Sequence, residues 1–241
     1  MHCCTHHYIL KGWVHMVEGN IGFRIFQRKN LLPDEFLEKY KAFSSANVGD
    51  AMGRFRVMDS AIRPVVPTRR IVGRAVTVLT RGIDNLMMHK AMEMSAPGDI
   101  IVVDTYGETN ASGWGGLMTH TAVGVGLEGI VIDGSARDLE DLRQLDFPVY
   151  ARAVTARGCF KDGPGEINCN ICCGGVSISP GDLILADEDG VVCVPFDDVE
   201  YVLEKTEKLL ANEEKRIAEI KSGVLFKPEI NDILRKKGVI Q

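Results

Sequence analysis

The stretch from Gly113 to Asp138, GWGGLMTHTAVGVGLEGIVIDGSARD, constrains the fold more than any other part of the chain. A glycine-rich loop opens a small-residue helix expected over 116–127. Gly129 to Asp133 then runs apolar without alternation, as in a strand buried on both faces. A glycine-containing turn follows and ends in Arg137-Asp138. A strand buried on both faces needs covering layers above and below a parallel sheet.

The flanking sequence fits that demand. Ile71–Thr80 is β-branched and alternating, and reads as a strand. Asn85–Met94 reads as a helix whose methionines are packing material. Pro97-Gly-Asp99 is a turn into a strand over 100–104. Leu139–Leu145 is expected to be a helix and Pro148–Ala151 a strand. This alternation is a βαβ pattern. After it the style changes. Residues 157–173 read as loop, and 174–178, 183–186 and 191–194 as short strands joined by tight turns. Pro180-Gly-Asp182 repeats the earlier turn chemistry. An α/β part followed by a β-rich part predicts a three-layer β/β/α single domain over 21–222. It ends in a long helix over 197–222, capped by Asp197 or Asp198. Ahead of it, Pro33–Phe43 and Ser45–Gly53 read as two helices, the second carrying Asp50. Residues 1–20 are expected to be a disordered leader and 223–241 a tail with a weak helical stretch near 228–237.

The chemistry concentrates in the opening stretch. N–H groups at a helix start suit an anion. Arg137 and Asp138 offer a guanidinium and a carboxylate side by side. Taken alone, Asp138 could cap the helix at Leu139 and Arg137 could pair with any surface carboxylate. Their place after a buried parallel strand favours a ligand site instead, since α/β sites lie at strand C-terminal ends. The three features together would hold a small 2-oxo acid on a hard cation.

Other signals are weaker. The 241 residues are 45% hydrophobic and 25% charged, ordinary for a globular domain. A formal net charge of −5 and the lack of a basic run argue against nucleic acid. No apolar stretch reaches the ~18 residues of a membrane span, and no signal-peptide pattern is evident. Seven cysteines without such a signal favour reduced thiols in the cytoplasm. His2, Cys3, Cys4, His6 and His7 could bind a soft metal, but a terminal leader seldom fixes a coordination shell. Gly124, Gly126 and Gly129 spell G-x-G-x-x-G in the wrong order, helix before strand, so no dinucleotide site is expected. Cys169-x-x-Cys172-Cys173 lacks a second pair and reads as small buried thiols on strands. His89 and His120 read as packed or surface residues.

At these residues the chain resembles the RraA-like family, which includes the 4-hydroxy-4-methyl-2-oxoglutarate and 4-carboxy-4-hydroxy-2-oxoadipate aldolases. The resemblance rests on ANVGDAMG (46–53), the 113–118 loop, GIVIDGSARD (129–138), FPVYARAVTARGCFKDGPGEIN (147–168), GGVSISPGDLILADEDGVVCVP (174–195) and ANEEKR (211–216). It implies the swivelling β/β/α fold and assembly as a homotrimer or homohexamer. It also implies Mg²⁺ or Mn²⁺ as cofactor, held at Asp138 largely through waters, with Glu213 donated by a neighbouring subunit. Arg137 corresponds to the residue that binds the pyruvyl carboxylate and stabilises the enolate. Gly115, Gly116, Leu117 and Met118 correspond to the backbone segment that binds substrate, and Lys161 to a lysine for a second substrate carboxylate. Asp50 stands where aldolase members carry a glutamate near the metal waters. One departure is plain: those members have an acidic residue where this chain has Gly116.

The implied activity is a metal-dependent pyruvate aldolase acting on 4-hydroxy-2-oxo acids, with oxaloacetate decarboxylation from the same enolate. The alternative is a non-enzymatic regulator that binds ribonuclease E, as some family members do. Those regulators tend to lack the long C-terminal helix, so residues 197–222 favour the aldolase reading. A methyltransferase label carried by some relatives finds no support in a strand–loop–helix cofactor motif.

Overall fold

The computed structural model describes residues 9–10, 13–14, 17–28, 30–81 and 84–241. The centre is four parallel strands: β1 (Ile71–Thr80), β2 (Asp99–Asp104), β4 (Gly129–Ala136) and β5 (Val149–Val154), adjacent in that order. The short strand β3 (Ser112–Trp114) lies parallel to the end of β4. Every residue of β2 and β4 is buried, as continuous apolar strands require.

Helices α3 (Leu86–Glu93), α4 (Gly116–Val125) and α5 (Leu139–Gln144) connect these strands. They pack on one face, where Met88, Met92, Met118, Ala122 and Leu142 meet Val76, Ile101, Ile130 and Ile132. The methionine stripe of α3 is therefore core. The other face is covered by a hairpin of β7 (Ile171–Cys173) and β8 (Val176–Ile178), whose Ile171, Cys173 and Ile178 pack on Ala75, Val102 and Val131. Helix, sheet and hairpin make the expected three layers.

The long β1 joins the two halves. Its first residues pair antiparallel with β9 (Leu183–Asp187) and its last with β6 (Gly165–Ile167). β9 pairs with β10 (Gly190–Val194) through the turn read from the sequence. β6 and β7 fall in the stretch expected to be loop. They lack a sequence signature because each is three residues long and set among glycines.

Helices α1 (Asp34–Tyr40) and α2 (Ser45–Ala51) pack with α6 (Val199–Lys221) over β9 and β10. Ser44 caps α2 through a reciprocal capping box with Asn47. α6 starts at Val199 after a short 3₁₀ turn, and neither Asp197 nor Asp198 makes a side-chain cap. Only its first half is buried, at Val199, Val202, Leu203 and Thr206. The tail holds α7 (Pro228–Lys236), where weak helix was expected.

The two P-G-D turns share their chemistry. Gly98 and Gly181 have φ of +82° and +92°, a region that favours glycine. Asp99 Oδ2 accepts from the Ala96 N–H and Asp182 Oδ2 from the Ser179 N–H, both at 2.8 Å.

Within the stretch read as a leader, Val17–Glu18 pairs antiparallel with Ile25–Phe26, which is parallel to β6, and Ile9–Leu10 pairs with Trp13–Val14. His2, Cys3, Cys4, His6 and His7 lie outside the described residues. Among the described residues no helix is long and apolar enough to cross a membrane.

Candidate active site

The end of β4 and the start of α4 are locked together. The Arg137 N–H donates to the Trp114 carbonyl at 3.0 Å, which fixes the end of β3 against the end of β4. Asp138 then turns into the left-handed region, φ 59° and ψ 45°, which aspartate tolerates better than most residues. It occupies the N-cap position of α5 yet makes no side-chain cap there. Its Oδ2 instead accepts from the Gly116 N–H at 2.9 Å, across the gap at the start of α4. The capping alternative for Asp138 is thereby excluded.

Gly115 is the residue that lets these groups converge. A Cβ placed on it would lie 2.5 Å from Asp138 Oδ2 and 3.2 Å from Arg137 Nε. A side chain here would have to push the Arg137 and Asp138 side chains away from their present positions. Arg137 Nε is 3.5 Å from Asp138 Oδ2, and both side chains are about two-fifths exposed at 42%. The pair is accessible to a ligand without being loose. On its other side the guanidinium rests on Gly158, where a Cβ would lie 2.9 Å from Nη1.

Gly116 is explained by the same neighbourhood. A Cβ on it would collide with the Asp141 carboxylate, whose Cγ would be 2.9 Å away. The space beside Gly116 is thus occupied by the exposed carboxylate of Asp141 from α5. Leu117 is exposed and Met118 buried. The N–H groups of both lie in the first turn of α4, where no helical carbonyl precedes them.

Lys161 belongs to this end of the molecule. Burial is the main cause that pushes the half-buried Cys159 thiol upward, with Asp84 adding to it and the Arg137 and Lys161 charges opposing it. The His89 pKa is lowered first by burial and then by the Lys161 charge. Arg137 and Lys161 therefore act on the same thiol. His120 is exposed on α4.

Asp50 and Glu213 are not brought to this place within one chain. Asp50 is paired with Arg54 at 3.3 Å. Glu213 Oε2 accepts from Asn47 Nδ2 at 3.2 Å. Both line an open cleft of about 580 Å³ between α2 and α6, together with Lys205, Lys208, Asn212 and Arg216. No hydrogen bond or ion pair among the described residues joins this cleft to Arg137 or Asp138.

The cysteines follow the packing reading only in part. Cys173 and Cys193 are buried on β7 and β10, but Cys169 is half-buried in the turn between β6 and β7, and Cys172 points outward from β7 and is exposed, because alternate residues of a strand face opposite sides. Burial pushes the Cys169 thiol up to about 11. Among the described residues no three His, Cys, Asp or Glu side chains converge as a metal cage. The G-x-G-x-x-G is a helix C-cap: Gly126 ends α4 with φ +83°, two residues before β4.

The RraA-like family, described as Aldolase/RraA, matches residues 45–193. The chain belongs to this family. It is 36% identical over 191 residues to a protein of Halalkalibacterium halodurans provisionally named 4-hydroxy-4-methyl-2-oxoglutarate aldolase, covering 79% of this chain and 91% of that one. It is 34% identical over 126 residues to a protein of Thermus thermophilus named 4-hydroxy-4-methyl-2-oxoglutarate aldolase, covering 52% of this chain and 76% of that one. An uncharacterised protein from Pseudomonas syringae has a similar structure, with TM-score 0.71 and 26% identity, over 81% of this chain and 96% of that one. The RNA-processing inhibitor RraA from Thermus thermophilus is similar with TM-score 0.59 and 28% identity, over 64% and 93% of the two chains.

Asp84, Asn85, Gly158 and Asp141 carry no sequence signal of their own. Their roles come from contacts between segments far apart in the chain.

Proposed function

We propose that this member of the RraA-like family is a carbon–carbon lyase of the pyruvate-aldolase type. It would cleave 4-hydroxy-2-oxo acids such as 4-hydroxy-4-methyl-2-oxoglutarate, and decarboxylate oxaloacetate, through the enolate of pyruvate. One observation carries the reading. A guanidinium, a carboxylate and the N-terminal N–H groups of α4 meet at the carboxyl end of β4, packed against a glycine whose Cβ would displace them.

The donor set fits a hard cation. Asp138 is one accessible carboxylate with one oxygen already held by an N–H, and Mg²⁺ or Mn²⁺ can bind through one or two carboxylates while keeping several waters. Asp138 would hold the cation, with Glu213 of a neighbouring copy joining its water shell in a trimer or hexamer. When bound, it supplies Lewis-acid polarisation of the keto group.

The protein's own groups do the rest. Arg137 binds the carboxylate of the pyruvyl unit and faces the charge that develops on the enolate. The N–H groups of Leu117 and Met118 share that anion. Lys161 takes a second carboxylate. In the retro-aldol direction, Asp50 or a water accepts the C4 hydroxyl proton. The C3–C4 bond breaks, its electron pair passes into the enolate, and a proton at C3 gives pyruvate. In oxaloacetate the same pair is released as carbon dioxide leaves.

The test is cleavage of 4-hydroxy-4-methyl-2-oxoglutarate by the purified protein with Mg²⁺ or Mn²⁺. Two equivalents of pyruvate per substrate, lost with chelator, support the reading. No pyruvate with either metal, combined with tight binding to ribonuclease E, would replace it with the regulatory role.

A further inference from the structure

The walls of the site are irregular. The 113–118 loop carries the N–H cradle and the 158–163 loop carries Lys161. Neither is a strand through its length, yet a reaction tolerates only small errors of placement. We propose that Asp84 and Asn85, at the start of α3, are the positioning residues that hold these two walls in register. The proposal rests on the lyase reading for its kinetic consequences and on geometry alone for the clasp.

Asp84 is 3% exposed. Its Oδ2 accepts from the Asp162 N–H at 2.7 Å and the Gly163 N–H at 2.9 Å. Its Oδ1 accepts from the Leu86 N–H at 2.8 Å. A buried carboxylate is costly unless hydrogen-bonded, and these three donors meet that need. Two of them belong to the Lys161 loop.

Asn85 faces the opposite wall. It is 6% exposed. Its backbone N–H donates to the Phe160 carbonyl at 3.1 Å. Its Nδ2 donates to the Gly113 carbonyl and approaches Met118 Sδ, both at 3.2 Å. An asparagine at a helix N-cap ordinarily turns its side chain onto its own helix. Asn85 makes no such cap. Its Oδ1 is buried without a hydrogen-bond partner among the described residues. The amide thus forgoes the local bond and leaves an oxygen unsatisfied in order to reach the glycine loop. Thr80 supports the hinge, donating near the Asp84 and Pro164 carbonyls at 3.2 Å each. One dipeptide joins both loops to the end of β1.

The test uses the full-length protein and three variants, Asp84→Asn, Asn85→Ala and Asn85→Asp. Asn85→Asp keeps the size but removes the donor. Amide hydrogen exchange should quicken at 158–163 in Asp84→Asn, and at 113–118 in the Asn85 variants, which keep the backbone bond to Phe160 and lose only the side-chain bond to Gly113. β1 and β2 should keep their protection. Kinetically, Asp84→Asn should raise KM for oxaloacetate about tenfold, with kcat within about twofold, since one charged hydrogen-bond network is weakened. Inhibition by pyruvate, which has no second carboxylate, should be unchanged in that variant. The Asn85 variants should weaken pyruvate inhibition and lower kcat/KM about tenfold. Unchanged exchange in both loops, or exchange that quickens throughout the fold with KM unmoved, would overturn the proposal. If the wild-type protein releases no pyruvate, the lyase reading fails, and the exchange measurement still decides the clasp.

Discussion

The two acidic groups singled out in this chain are built in opposite ways. At the end of β4, Asp138 is fixed by a backbone N–H, a left-handed turn and a glycine that leaves no room. At the α2–α6 cleft, Asp50 and Glu213 sit on exposed helical faces and touch Arg54 and Asn47. The first group is held by main chain of a buried sheet. In the second, Asp50 rides on α2 and Glu213 on the far half of α6, where no residue is fully buried and Ile217 and Ile220 are 50% and 43% exposed. A carboxylate on a projecting helix gains meaning when another surface meets it.

The sharpest way to break this contrast is Arg137→Ala. On the lyase reading it removes the charge that faces the enolate, and kcat/KM for pyruvate release should fall about 10²–10³-fold. A steady-state assay checks it, and a loss below about tenfold would unseat Arg137.

Gly116→Asp comes next. The new side chain meets the Asp141 carboxylate, an exposed group that must turn away, so like-charge repulsion should cost about 1 kcal/mol of stability and reduce turnover. Gly116→Asp with Asp141→Ala should regain most of the melting temperature. Failure of the double variant to recover would show that Gly116 matters for another reason.

Glu213→Gln should cost about tenfold or less in kcat/KM, the scale of an outer contact to a metal site. Mixed assemblies sharpen the point. Arg137→Ala and Glu213→Gln subunits refolded together should recover part of the activity if each site draws on two copies. No recovery in confirmed mixed oligomers would place Glu213 outside the site.

The smallest effect concerns stability far from the site. Burial raises the Glu166 pKa, but the Arg24 hydrogen bonds and the Gly22 N–H outweigh it and the net shift is downward. A lowered carboxylate pKa stabilises the fold above the unfolded value and is lost as pH falls through the folded one. Glu166→Gln should therefore lower the melting temperature slightly at pH 7 and less at pH 4. An equal shift at both values would contradict the pairing.

The sequence made the parallel core legible because its signals are local. Gly129–Asp133 must be buried on both faces, and the P-G-D turns announce β2 and β9. Arg137-Asp138 stood out for the same reason. Gly165–Ile167 and Ile171–Cys173 did not, since three-residue strands take their identity from partners remote in the chain. Asp84 and Asn85 looked like an ordinary helix start; their bonds reach loops about 30 and 80 residues away. Gly116 read as a lost acid until the fold brought Asp141 against it.

The most direct measurement is pyruvate release from oxaloacetate by the wild-type protein, with Mg²⁺ or Mn²⁺ and then with chelator, beside Arg137→Ala. Metal-dependent release that the variant loses while keeping its fold is the predicted result. Release unaffected by either the chelator or the substitution, or none under any condition, would contradict an enolate site at the end of β4.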